Sequence, residues 1–208
     1  MTRLKRAYTV TDFERAEFEI MPFEGKFQES FGCPEMTGSW IIYAESFNGK
    51  TSFTLQLVKY LTQFGDVIYN TLEEGFRASF KKALREANMK EVKSKFKVLS
   101  KEPIADLRIR LKRKRSAKIC VIDSVQYSDL RNKNDYKRLI NEFPNKLFIF
   151  ISHAVGKIPK GALAQAILFD ADLKIYVEGF KAFPESRHGG GKPFIIWAQG
   201  ALEYWGEL

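Results

Sequence analysis

The chain has 208 residues, with 34 Lys and Arg against 25 Asp and Glu and hence a net charge of +9. Apolar residues make up 45% and aromatics 14%, enough to bury a core, which excludes an intrinsically disordered chain. The apolar runs, of which LFIFI at 147–151 is the richest, fall far short of the roughly 20 residues of a bilayer helix, so no membrane span is expected.

The N-terminus MTRLKRAYTV lacks the apolar block of a secretory signal, so a cytoplasmic location is expected. Cys33 and Cys120 are the only cysteines and form no C-x-x-C pair, which leaves zinc ribbons and thioredoxin-type chemistry without ligands or nucleophiles. The basic excess suits a polyanionic partner, nucleic acid before a membrane surface.

Residues 1–35 read as a segment packing on the core, with some alternation in EFEIMPFEGKF and a loop at GCPEMTG. SWIIYA (39–44) reads as a buried strand and TSFTLQLVKYLTQF (51–64) as an amphipathic helix with Phe53, Leu57, Leu61 and Phe64 near one face. DVIYN (66–70) is the next strand and 76–92 the next helix. KFKVLS (95–100) is a third strand, followed by a basic helix to Arg115. AKICVID (117–123) and KLFIFIS (146–152) are two more buried strands with a charged helix between them. KIYVEGF (174–180), KPFIIW (192–197) and LEYW (202–205) read as short strands between Gly-rich turns. The expected fold is α/β: a mainly parallel central sheet flanked by helices, with an antiparallel C-terminal extension.

The most informative segment is AESFNGKTS at 44–52, placed between a buried strand and an amphipathic helix. It follows the phosphate-loop pattern G-x-x-x-x-G-K-[ST], with Ala44 in place of the first Gly. In such a loop successive backbone N–H groups converge on phosphates and the helix N-terminus adds positive partial charge. The expected nucleotide-binding residues are Glu45, Ser46, Phe47, Asn48, Gly49, Lys50, Thr51 and Ser52. Lys50 would reach the β- and γ-phosphates, and Thr51 would place its hydroxyl on Mg²⁺. A phosphate loop of this kind calls for an acid at the end of another buried strand, and AKICVIDS supplies Asp123 as the second metal-associated residue.

These residues resemble the RecA-like ATPases of the RadA and KaiC type over about 36–205, which implies a RecA-like ATPase domain at 36–208 that uses ATP and Mg²⁺. VIYNTLEEG (67–75) is similar to the family segment carrying the catalytic base, which implies Glu73 in that role with Glu74 as the adjacent alternative. VIDSVQ (121–126) maps Asp123 to the magnesium-associated acid. FISHAVGK (150–157) maps His153 to a residue sensing the γ-phosphate. ESRHGG (185–190) is similar to the segment whose basic residues reach a neighbouring subunit, which implies Arg187 as an intersubunit residue and a ring or filament as the assembly. Glu185 departs from the Lys usual there. The zinc-binding N-terminus and protease-like C-terminus of full-length RadA have no counterpart, so the resemblance is to a stand-alone core. It also implies DNA contacts through loops after the strands ending near Asp123 and His153, which contain Arg131 and Lys133, and Lys157 and Lys160.

The resemblance therefore implies ATP turnover coupled to nucleic-acid binding in recombination, repair or replication. Two alternatives stay open: a KaiC-like switch acting on protein partners, and a module that binds ATP without turning it over. Other motifs carry less. RIRLKRKRSAK (108–118) is more often explained by a solvated helix face than by a phosphate contact. NKND (132–135) lies too far beyond its strand to read guanine. FERA (13–16) and FKKA (80–83) match a docking pattern too common by chance to carry weight.

Overall fold

The alternation of apolar runs with mixed segments gives, in a computed structural model describing residues 6–207, a nine-stranded sheet covered by helices. The elements are α1 (Val10–Glu14), α2 (Gly25–Phe31), β1 (Gly38–Ala44), α3 (Lys50–Leu61), β2 (Val67–Thr71), α4 (Ala78–Glu86), β3 (Phe96–Ser100), α5 (Ile104–Leu111) and β4 (Ile119–Asp123). They continue with α6 (Lys133–Glu142), β5 (Leu147–Val155), β6 (Ile158–Pro159), α7 (Ala162–Asp170), β7 (Leu173–Glu178), β8 (Lys181–Ser186), β9 (Phe194–Ile195) and α8 (Ala198–Trp205). Short 3₁₀ turns occupy Met89–Val92 and Val125–Tyr127.

The strand order is β3-β2-β4-β5-β1-β7-β8-β9, with β6 folded back on β5. The strands from β3 to β7 run parallel, and β8 and β9 extend the sheet antiparallel. Strands covered on both faces need apolar side chains on both, which is why SWIIYA, ICVI and LFIFI are continuous runs rather than alternating ones. One face packs Trp40, Ile42, Val121 and Ile149 against α2, α3 and α4 through Phe27, Phe31, Phe53, Leu57 and Phe80. The other packs Ile41, Cys120, Phe148 and Phe150 against α5, α6 and α7 through Leu107, Tyr136, Leu139 and Ile167.

This layering positions the site. β1 is followed by α3 on one face, whereas its neighbour β5 is followed by α7 on the other. Two adjacent strands whose connections leave on opposite faces open a crevice at their C-terminal ends, where α/β sheets bind ligands.

The C-terminal third differs from expectation. LEYW is not a strand but the last turn of α8. Gly200 reads as a turn in sequence, yet it sits inside that helix because a Cβ there would lie 2.2 Å from the Trp197 ring. Gly206, at φ 76°, then ends the helix in the left-handed conformation that a C-terminal cap favours. The strand expected over KPFIIW shrinks to Phe194–Ile195. β8 is a strand that the sequence reading leaves out, and it contains Pro184. It pairs with β9 only through Lys181 and Ala182, so the missing N–H of Pro184 falls on an open edge. The basic helix stops at Leu111 rather than Arg115, and helix 76–92 breaks at Ala87.

Of the N-terminal segment, residues 1–5 lie outside the described residues. Met21, Phe23, Phe27 and Phe31 are buried in the core, whereas Tyr8, Val10, Phe13 and Phe18 are exposed and α1 buries nothing. The Gly-rich run after β8 closes the C-terminal end of α2, whose last carbonyls need partners. Gly191 N–H donates to Ser30 O (2.9 Å), Lys192 N–H to Glu29 O (3.2 Å) and Ser186 Oγ to Phe31 O (3.1 Å). The backbones approach so closely that a Cβ on Gly190 would meet Gly32 N at 2.6 Å.

Candidate functional site

β1 ends at Ala44, which is fully buried and pairs with His153 as an ordinary strand residue, so nothing there requires glycine. The chain then turns through Phe47, at φ 64°, and Gly49, at φ 89°, before α3 starts at Lys50. Asn48 fixes the turn from both sides. Its Nδ2 donates to Ser46 O (3.2 Å), its Oδ1 accepts from Gly179 N–H (2.8 Å), and its carbonyl accepts from Phe180 N–H (3.2 Å). The loop is thus braced against the β7–β8 turn, with Phe180 stacked over Gly49. A second brace joins Glu45 Oε1 to Gly156 N–H on the β5–β6 hairpin (2.8 Å).

Lys50, Glu73, Asp123 and His153 converge on this edge. Lys50 Nζ donates to Ser152 O at 3.4 Å. Asp123 ends β4, where its Oδ2 accepts the Tyr69 hydroxyl at 2.5 Å and its carbonyl accepts from Leu72 and Glu73 N–H. The Asp123–Ser124 peptide is cis. Glu73 Oε2 lies 3.0 Å from His153 Nε2 and accepts from Ser124 Oγ at 3.4 Å. The neighbouring Glu74 turns away and accepts from Ser79 Oγ at 2.6 Å, in the first turn of α4. Of the two acids that the sequence offers as a base, the one facing Lys50 and Asp123 is Glu73.

The charges are poorly solvated. Burial lowers the Lys50 ammonium below the ordinary lysine range, and the carboxylates of Asp123 and Glu73 offset part of that. Burial also pushes Asp123 up to about 6, against the pull of the Tyr69 hydrogen bond and of Lys50. Burial and Lys50 lower His153, and Glu73 opposes them. A cation and a carboxylate that both lean toward neutrality, beneath a loop of backbone amides at a helix N-terminus, form a setting that an anion with its counter-cation would relieve. The donors match a hard cation shared with phosphate oxygens, because Thr51 and Asp123 present only oxygen. Among the described residues no cluster of three or more His, Cys, Asp or Glu side chains could hold a metal by itself.

The other sequence candidates fall in different places. Lys157 and Lys160 follow β5 at the same sheet edge, and Arg131 and Lys133 lie at the start of α6. Arg187 follows Ser186, which pairs with Leu173 at the start of β7, so it lies at the opposite end of the sheet from Lys50 and takes no part in its own chain's site. Much of the basic run is ion-paired: Arg108 and Lys112 with Glu142, and Arg110 with Glu102. Asn132, first residue of NKND, caps α6 by accepting from Asn134 and Asp135 N–H. Sequence reasoning missed Tyr69, Gln126, Ser152 and Phe180. Tyr69 carries a weak signal, an aromatic with a polar tip at the penultimate inward position of a buried strand; the others depend on contacts between elements far apart in the chain. Comparison of the sequence with protein-family profiles and with curated proteins finds no match.

Proposed function

We propose that this chain is a RecA-like ATPase that binds Mg²⁺-ATP on residues 45–52 and couples its turnover to nucleic-acid binding. The observation that carries this reading is the convergence of Lys50, Glu73, Asp123 and His153, drawn from four separate segments, beneath a phosphate-loop turn at the switch point of the sheet. Phosphoryl transfer asks a protein mainly for placement and charge neutralisation. Lys50 supplies positive charge beside the terminal phosphates, and the amides of residues 46–51 supply N–H donors. Glu73 orients the attacking water and accepts its proton, and His153, in contact with Glu73, would sense the terminal phosphate. Thr51 and Asp123 would hold Mg²⁺, which when bound neutralises charge on the phosphate oxygens.

The nucleic-acid half is supported by the net charge of +9 and by Lys157 and Lys160 after β5 and Arg131 and Lys133 at the start of α6. Tyr127, exposed in the turn after β4 with its ring edge-on to His153, offers a ring on which a base can stack. The test is phosphate release with and without single- and double-stranded DNA. Turnover that rises with DNA and vanishes in Lys50→Ala is the expected result; turnover indifferent to every nucleic acid refutes the coupling, and none in any condition refutes the ATPase.

A further inference from the structure

We propose that Gln126 is a positioning residue that holds His153 against Glu73 and joins the candidate nucleotide site to the basic hairpin at 154–160. The inference rests on the nucleotide reading above and deepens it. The pairing of β4 with β5 ends at Asp123 and Ile151, whereas β1 stays paired with β5 two residues further, to Ala44 and His153. Beyond Ile151 the β4 side of β5 is therefore left without a strand, and the side chain of Gln126 takes that place from the 3₁₀ turn that follows Asp123. Its Oε1 accepts from His153 N–H (3.2 Å), and its Nε2 donates to Ser152 Oγ (2.8 Å) and to Lys160 O (2.7 Å). A primary amide has two donors and one acceptor oxygen, and here all three are used.

These bonds fix the backbone on both sides of the imidazole. His153 N–H is held by Gln126, and His153 O accepts from Lys160 N–H (2.8 Å) and Ser152 Oγ (2.8 Å). The backbone that carries the ring touching Glu73 is thus held by a clamp whose other arm grips the far end of the hairpin. Among the described residues, the hairpin's other side-chain hydrogen bonds from outside go to Glu45 on the phosphate loop and to Gln165 on α7. Two of its three anchors therefore belong to the segments that would hold the nucleotide. When Glu73 exchanges His153 for a water beside the terminal phosphate, the displacement of His153 reaches Lys160, and with it the exposed Val155 and Ile158, by two links: the Lys160 N–H bond to His153 O and the Gln126 side chain.

A simple strut would stabilise the fold without carrying information, so the test separates the two. Steady-state ATP turnover is measured alongside the affinity for a labelled oligothymidylate, with and without a non-hydrolysable Mg²⁺-ATP analogue. In Gln126→Ala the kcat falls by about tenfold to a hundredfold, the cost of a misplaced catalytic group, while KM stays within about twofold. The ratio of the two oligonucleotide affinities collapses toward one. Gln126→Glu keeps the acceptor toward His153 and loses both donors, so the ratio collapses as in the alanine variant while the fall in kcat is smaller. Wild-type kcat and ratio in Gln126→Ala overturn the proposal. So does a loss of both in either variant that merely tracks a fall in thermal stability. Wild-type protein that turns over ATP but grips the oligonucleotide equally in both states overturns this inference alone, and wild-type protein that takes up no nucleotide removes the site reading and this one with it.

Discussion

Gly49→Ala tests the phosphate-loop turn at the residue on which its shape depends. Gly49 caps α3 at φ 89°, ψ 11°, in the left-handed region, and a Cβ there would lie 2.9 Å from Phe180 Cδ1. An L-residue held in that region costs about 1–2 kcal/mol. Swinging the Phe180 ring off its rotamer to make room adds about 0.5–1.5 kcal/mol. The combined loss, about 1.5–3.5 kcal/mol, corresponds to a fall in Tm of about 3–14 °C for a domain of this size. Thermal unfolding followed by circular dichroism measures it, and a nucleotide titration of the folded variant measures the second consequence. Because the added methyl tilts the peptide whose N–H groups must converge on phosphate, nucleotide binding is lost even at temperatures where the variant is fully folded. A Tm within about 1 °C of wild type, or undiminished nucleotide affinity in the folded variant, refutes the reasoning.

Three further outcomes follow from the same geometry. Lys50→Met removes a desolvated ammonium, so the nucleotide-free protein is at least as stable as wild type, but it forgoes the roughly 2.7 kcal/mol that a ligand at a hundredfold excess over Kd confers on wild type; thermal shifts with and without Mg²⁺-ATP show both. The Asp123 carboxyl binds its proton more tightly when folded (about 6) than its ordinary value of 3.8, so it contributes stability at low pH that is lost as pH rises through about 4 to 6. Urea titrations of wild type and Asp123→Asn should therefore diverge across that window by at most about 3 kcal/mol, and a pH-independent difference contradicts the desolvation. Cys120 is fully buried with its thiol pushed up to about 12, so a thiol reagent at pH near 8 modifies Cys33 in the native protein and Cys120 only after denaturation; two equally fast native thiols refute the packing of β4.

How much of this was legible in the sequence depends on where the determining contacts lie. SWIIYA, DVIYN, ICVID and LFIFIS declare themselves because a strand covered on both faces needs apolar side chains on both, which leaves a continuous apolar run in the sequence. Gly49, Lys50 and Thr51 are legible for a similar reason: the turn and the helix start are local, and residue type follows from local backbone conformation. The C-terminal third was misread where a tertiary contact overrides a local rule. Gly200 breaks helices in isolation, but in α8 it leaves room for the Trp197 and Phe180 rings, and Pro184 weakens the strand signal of a segment whose N–H side is open beyond its pairing with β9. Glu73 and Glu74 are adjacent acids in sequence, and tertiary contacts separate them: Ser79 takes Glu74, while Glu73 meets His153 and Ser124. Gln126 left no trace, because nothing in VIDSVQYS reports that β4 ends two residues before β5 parts from β1.

The central claim is that the turn after Ala44 receives a triphosphate between Lys50 and the carboxylates of Asp123 and Glu73. Isothermal titration of the wild-type protein with a non-hydrolysable ATP analogue in magnesium buffer tests it most directly. One analogue bound per chain, with uptake abolished in Lys50→Met and weakened when magnesium is chelated, is the predicted result. No heat of binding for the folded wild-type protein, or uptake that survives Lys50→Met unchanged, contradicts it.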